Sequence, residues 1–269
     1  MSMLGDDIGR ITRDSLNDFR NFMHAANLSP ASMRLEMAGA RSFTSWLVDG
    51  GHDLPALREP KMPRPKLKAP PALSGADMAR VCAYAAEHVP QPYAAAIEFL
   101  WLTGMRVDEL CHLEIAQLRF ERDDGAIGGG LFVFRGVVGK SKAMRDVYIA
   151  DNAAVRRYYG VRKSLPWYTP GSPWMFPARD GTAIKKRHVQ KYIRDVRGPL
   201  GYPELTAHVF RHHWATQASA AGVDEFTIQA HLGHESIMTT SRYVHVSDAM
   251  KRAAHRAIQA NRDGDRETP

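Results

Sequence analysis

The sequence predicts a mainly α-helical protein with a small antiparallel β-sheet or hairpin, divided by a proline-rich stretch into a short leading segment and a larger body. Three observations carry this expectation. Apolar residues recur at helical spacing, as in Leu16, Phe19, Phe22 and Met23. Two β-rich runs, Leu131–Phe134 and Val147–Ile149, flank the basic segment Gly136–Arg145, the pattern of a hairpin. Between Pro55 and Pro71, six prolines (55, 60, 63, 65, 70 and 71) are mixed with Arg58, Lys61, Arg64, Lys66 and Lys68.

The elements follow in order. Residues 1–53 read as helical, with Ser29-Pro30 opening a second helix that runs past Phe43, Trp46 and Leu47 to a Gly50-Gly51 stop. Prolines sustain neither helix nor ladder hydrogen bonds, so residues 55–72 read as an extended basic linker. Ser74-Gly-Ala-Asp77 has the form of a capping box, and a helix from about Gln91 stops at Gly104. A short helix carries Arg106, Glu109, Leu110 and Leu113. Beyond the hairpin the chain reads as helical to about Ala260, and residues 261–269 as a frayed tail.

Composition bounds the function. The 269-residue chain is 44% hydrophobic with a formal net charge of +7, and its pI is near 9.5. Such a chain folds, and its basic excess favours a polyanionic partner, nucleic acid before membrane. Cys82 and Cys111 are too few for a disulfide framework and fall at no metal-ligand spacing, so each reads as a small core residue. The start, MSMLGDDIGR, lacks the form of a signal peptide. The most apolar stretch, Ala94–Leu102, contains Glu98 and is too short to span a bilayer, so a cytoplasmic protein is expected.

Three local signals bear on chemistry. In Leu102-Thr-Gly-Met-Arg106-Val-Asp-Glu109-Leu110, a glycine ends one helix and an arginine opens the next, which places a guanidinium where an anion would sit. His208-Val-Phe-Arg211 puts His and Arg on one helical face. Leu232-Gly-His234 is followed nine residues later by Tyr243. Each has an ordinary structural explanation alone; their joint order and spacing is what discriminates.

That order, Arg106, a hairpin lysine, His208-x-x-Arg211, Leu-Gly-His234 and Tyr243, resembles the tyrosine recombinase (phage integrase) family. The segment Thr206–Val246 is similar to its Xer-like and integron-like branch, and the likeness runs from about Leu73 to Ala260. The resemblance implies a tyrosine recombinase catalytic domain over residues 73–260, preceded by a short helical, partial SAM-like DNA-binding domain over residues 1–54. It implies site-specific cleavage and rejoining of double-stranded DNA, by a tetramer on two DNA sites, with a paralogous recombinase as a further candidate partner. Tyr243 would be the nucleophile, Arg106 and Arg211 the phosphate clamps, and His208 and His234 the proton-handling and phosphate-bonding groups. The hairpin lysine falls on Lys140, with Lys142 close enough to be a rival.

These residue types suit that chemistry. A phosphodiester repels nucleophiles and gathers charge on its non-bridging oxygens, where two arginines supply fixed, forked donors. A phenol with a pKa near 10 needs a proton acceptor and a positive field. The leaving 5′ oxygen needs a proton, which an ammonium can give. Cationic side chains cover the phosphate, so neither metal nor cofactor is expected. His212, His213, His231 and His245 crowd the motifs, yet no carboxylate or cysteine joins them at ligand spacing.

Other residues read structurally: Asp108 and Glu109 could orient the Arg106 guanidinium, but read first as a surface ion pair with it, and Trp214 reads as core rather than a base-stacking platform. The C-terminal segment Ser247–Ala260 reads as a short helix that would pack either on its own domain or, as in the family, on a neighbouring protomer. The segment before the linker resembles only the second half of the family's N-terminal domain, so its apolar faces would want a partner such as a second copy. Three other readings stay open: a type IB topoisomerase-like activity, a recombinase-derived DNA-binding protein without strand exchange, and a metallohydrolase built on the histidines.

Overall fold

The computed structural model describes residues 10–63, 73–123, 129–139, 143–149, 151–233, 252–253 and 255–259. They fall into two compact units that divide between residues 69 and 70.

The first unit is a helix pair, α1 (Ser15–Ala25) and α2 (Pro30–Asp49). Ser29 caps α2 by accepting a hydrogen bond from the Ser32 amide, and Pro30 at the first helical position loses no needed donor. Leu16 and Met23 of α1 meet Met33, Met37 and Ala40 of α2 in a small core. The proline-rich stretch is partly built into this unit. Leu57 and Met62 pack against the core, the Arg58 amide donates to the Arg13 carbonyl at 2.8 Å, and Arg41 pairs with Glu59. The outer face of α2 keeps Leu35, Phe43, Trp46 and Val48 exposed, and Phe22 of α1 is exposed as well.

The second unit contains α3 (Gly75–His88), α4 (Tyr93–Thr103), α5 (Val107–Cys111), β1 (Leu118–Arg122), β2 (Gly130–Val138), β3 (Met144–Ile149), α6 (Asn152–Lys163), α7 (Lys186–Leu200), α8 (Ala207–Ala220) and α9 (Glu225–Leu232). Residues 252–253 and 255–259 are helical too. The expected capping box opens α3, with Ser74 and Asp77 exchanging hydrogen bonds. Helix α4 is apolar all round; every residue except Tyr93 and Glu98 is buried, because α3, α5, α7 and α8 surround it. Cys111 is buried and Cys82 half-buried. Burial pushes the Cys111 thiol up to about 12, as befits an inert core residue.

The predicted hairpin is β2–β3, antiparallel, with Phe132 opposite Ile149 and Val138 opposite Met144. A third strand, β1, joins the far edge of β2, with Phe120 opposite Phe132. Its pattern Leu-Arg-Phe-Glu-Arg is short and half-polar, which is why the sequence did not announce it. One face of the sheet sends Phe134, Val137, Val147 and Ile149 into the main core. The other gathers Leu131, Val133 and Tyr148, and the ring of His255 lies 6.0 Å from that of Tyr148.

Two sequence expectations need correction. The chain after the hairpin is not continuously helical: between α6 and α7, Pro166, Pro170, Pro173 and Pro177 with Gly171 and Gly181 interrupt the helical period. This stretch is held by buried Arg162, whose guanidinium donates to the carbonyls of Ser172 (2.8 Å) and Trp174 (3.0 Å), and by the Tyr158 hydroxyl on Met175. Glu109 is not a surface residue; it is 7% exposed, walled in by the elements described next.

Of the two placements considered for the C-terminal segment, the described residues take the first and pack on their own domain. Ile258 joins Trp214, Ala218, Ile228 and Leu232, and Arg256 pairs with Asp123 beside β1. Among the described residues no helix is long and apolar enough to cross a membrane.

Candidate active site

The site begins where α4 ends. Gly104 caps α4 at φ +63°, a left-handed conformation that glycine adopts freely. A Cβ there would stand 2.8 Å from Trp214 Cγ, so this turn also presses against α8. Two residues on, Arg106 is the N-cap of α5, and its amide donates to Glu109 Oε2 at 3.0 Å. Arg106 Nη1 reaches Glu109 Oε1 at 3.0 Å, and Nη2 reaches the Gly233 carbonyl, also at 3.0 Å.

Arg211 rises from α8. Its Nη1 donates to the Gly104 carbonyl at 3.1 Å and its Nη2 to the Leu232 carbonyl at 2.6 Å. Arg145 comes from β3. It grips Glu109 with both Nη atoms, at 3.1 and 2.6 Å, and its Nε donates to the His231 carbonyl at 2.6 Å. The carbonyls of 231, 232 and 233 therefore each receive one guanidinium, from Arg145, Arg211 and Arg106 in turn. These acceptors are the orphan groups at the negative end of α9, where cations are favoured.

Two of these guanidiniums, Arg106 and Arg145, pair with one buried carboxylate, and Arg211 feels its charge. Burial works to raise the Glu109 pKa, but hydrogen bonds and charge from Arg145, then Arg106, outweigh it and hold the group ionised. Burial, then the positive charges of Arg106 and Arg145, lower Arg211 to about 9, so it stays charged at neutral pH in a field that favours an anion. His208, one helical turn before Arg211, is exposed. Partial burial and then the charges of Arg211, His212 and Arg106 lower its pKa, which favours the neutral imidazole. Beside α5, α7 buries Val189, Ile193 and Val196 and exposes Lys186, Arg187, Lys191 and Arg194; Lys186 Nζ lies 3.6 Å from Asp108.

Thus Arg106, His208 and Arg211 come together as the sequence pattern implied. Lys140, Lys142, His234 and Tyr243 lie outside the described residues. Sequence reading missed Arg145, and for Glu109 it preferred a surface ion pair to the buried partner of Arg106 that the structure shows. A signal existed for the second, since Glu at the third helical position after an N-cap is a capping-box residue. For Arg145 the only hint was its place in the basic hairpin. Of the other histidines, two have structural partners: His213 Nδ1 lies 3.0 Å from the Leu73 carbonyl and His231 Nε2 2.7 Å from that of Thr103, with the His231 ring stacked on Trp214; His245 lies outside the described residues.

Comparison with known proteins accords with this geometry. The phage integrase family model matches residues 72–250. Tyrosine recombinase XerD of Caulobacter vibrioides is 30% identical over 258 residues, covering 92% of this chain and 81% of that protein. Tyrosine recombinase XerC of Corynebacterium glutamicum is 28% identical over 254 residues, covering 91% and 78%. Among solved structures, XerA recombinase is 25% identical with a TM-score of 0.50, covering 93% of this chain and 84% of that one. XerH site-specific recombinase, solved with palindromic difH substrate in a post-cleavage complex, shares the fold at a TM-score of 0.68 and 18% identity, covering 92% and 70%. The family match spans most of the larger unit, including the arginine-lined end of α9: the chain belongs to the phage integrase family and is a tyrosine-type site-specific recombinase.

Proposed function

We propose that the protein cleaves and rejoins double-stranded DNA through a 3′-phosphotyrosyl bond to Tyr243. The observation that carries this reading is the gathering of Arg106, Arg145 and Arg211 at the end of α9 with one carboxylate, Glu109, beside them, a site with surplus positive charge for a phosphodiester. Arg106 and Arg211 would turn donors to the non-bridging oxygens. His208, kept neutral by its surroundings, would accept the Tyr243 proton, and His234 would bond the phosphate. Lys140, with Lys142 as its rival, would protonate the departing 5′ oxygen. The P–O bond to Tyr243 forms as the bond to the 5′ oxygen breaks, and the reverse attack by a 5′-hydroxyl restores the tyrosine, so no external energy source is needed.

The exposed cations of α7 support the affinity for a DNA backbone that such a reaction requires. The reading takes the working assembly to be a tetramer on two DNA sites, formed by this chain alone or with a paralogous recombinase. The test is covalent capture: the protein is mixed with fragmented DNA from its source and stopped with SDS, and the attached ends are sequenced beside a Tyr243→Phe control. Adducts in wild type that vanish in Tyr243→Phe, with DNA binding retained, are expected. Equal DNA binding with no adduct from either protein would mark a DNA-binding protein without cleavage.

A further inference from the structure

Arg145 is assigned no chemical step above, yet it bonds both the carboxylate that Arg106 shares and the end of α9. Its side chain is 10% exposed and each of its three nitrogens donates: two to the Glu109 carboxylate and one to the His231 carbonyl. The chain crosses directly over it, since a Cβ on Gly233 would lie 3.2 Å from Nη1. All three nitrogens of Arg145 are committed, Nε included, whereas the hydrogen bonds of Arg106 and Arg211 among the described residues run through their Nη atoms alone.

We propose that Arg145 is a positioning residue for DNA strand cleavage: it joins the strand that follows the hairpin lysine, the carboxylate that aims Arg106, and the end of α9 that leads to His234. This rests on the recombinase reading of the site. The forked pairing fixes Glu109 in one orientation. With Arg145 gone, Glu109 keeps Arg106 as its cationic hydrogen-bond partner and draws that guanidinium onto itself, away from a phosphate. The His231 carbonyl also loses its donor, so the segment preceding His234 loses an anchor. Lysine cannot replace it, because an ammonium lacks the fork that spans both carboxylate oxygens and the carbonyl.

The test uses the full chain and a duplex recovered by covalent capture, nicked so that cleavage is trapped. Single-turnover cleavage at saturating DNA and DNA affinity are measured for wild type, Arg145→Gln, Arg145→Lys, and Arg145→Gln combined with Glu109→Gln. Misplacing reacting groups by about 1 Å costs on the order of 100-fold in rate, and that loss is expected for both single variants with affinity nearly unchanged. Removing the stranded carboxylate in the double variant should recover part of the rate, which a general loss of folding would not allow. The double variant also decides the matter if Arg145→Gln does not fold. Cleavage at the wild-type rate in Arg145→Gln, or equal losses of rate and affinity with no recovery in the double variant, would overturn the role of Arg145. Wild type that forms no adduct would overturn the recombinase reading and this inference together.

Discussion

Arg106 and Arg145 hold the same carboxylate, with Glu109 Oε1 accepting from Nη1 of one at 3.0 Å and of the other at 3.1 Å. The two arginines are far apart in sequence, one at the start of α5 and the other on β3. A single buried anion brings them together and sets the angle at which each reaches the end of α9. The stability and the chemistry of the site are therefore coupled through Glu109.

Glu109→Ala should leave the guanidiniums without their buried counter-ion. Breaking such a pair from one side costs about 3–5 kcal/mol, and the lower end fits here because Arg106 remains partly exposed. The loss should depend on pH. The folded pKa of Glu109 lies below its ordinary 4.5, so its contribution is full above that value and fades as pH falls through the lower folded pKa. Urea denaturation at pH 7 and in stepwise acid should show the wild-type and variant stabilities converging as the pH drops. A constant gap at every pH would contradict this account.

His208 should act as a proton acceptor into mildly acid solution. Its pKa is lowered from 6.5 by burial and by the charges of Arg211, His212 and Arg106, so the acid limb of single-turnover cleavage should fall below pH 6.5. Removing the largest of those charge effects, in Arg211→Gln, should shift the limb upward in whatever activity remains. A wild-type limb at or above 6.5 would show that another group governs the step.

Gly104→Ala should damage both stability and cleavage. The residue sits at φ +63°, and its new Cβ would meet Trp214 Cγ at 2.8 Å and Cβ at 2.9 Å, atoms close to the α8 backbone that cannot swing away. Left-handed strain and overpacking together should cost about 3 kcal/mol, read as a lowered Tm. Because the Gly104 carbonyl accepts from Arg211, the remaining folded protein should also cleave more slowly.

Much of this was legible beforehand because it is written locally. The Ser29-Pro30 start, the Ser74–Asp77 capping box and the Gly104 stop depend on neighbours within a turn, so short patterns reveal them. The grouping of Arg106, His208 and Arg211 was legible for a different reason, the order and spacing shared with a family. Strand β1 was not, since a five-residue half-polar strand has no period of its own and exists only by pairing with β2.

The sequence by itself determined the helical class, the hairpin and the family. Only the tertiary structure decided that Glu109 is buried, that Arg145 belongs to the site, and that three guanidiniums cap three successive carbonyls at the end of α9. The physical reason is burial. A carboxylate three residues after an arginine looks the same in sequence whether it faces water or the interior. Only the packing around Glu109 removes water, so that charged hydrogen bonds, from Arg106 nearby and from Arg145 on the remote strand β3, keep it ionised.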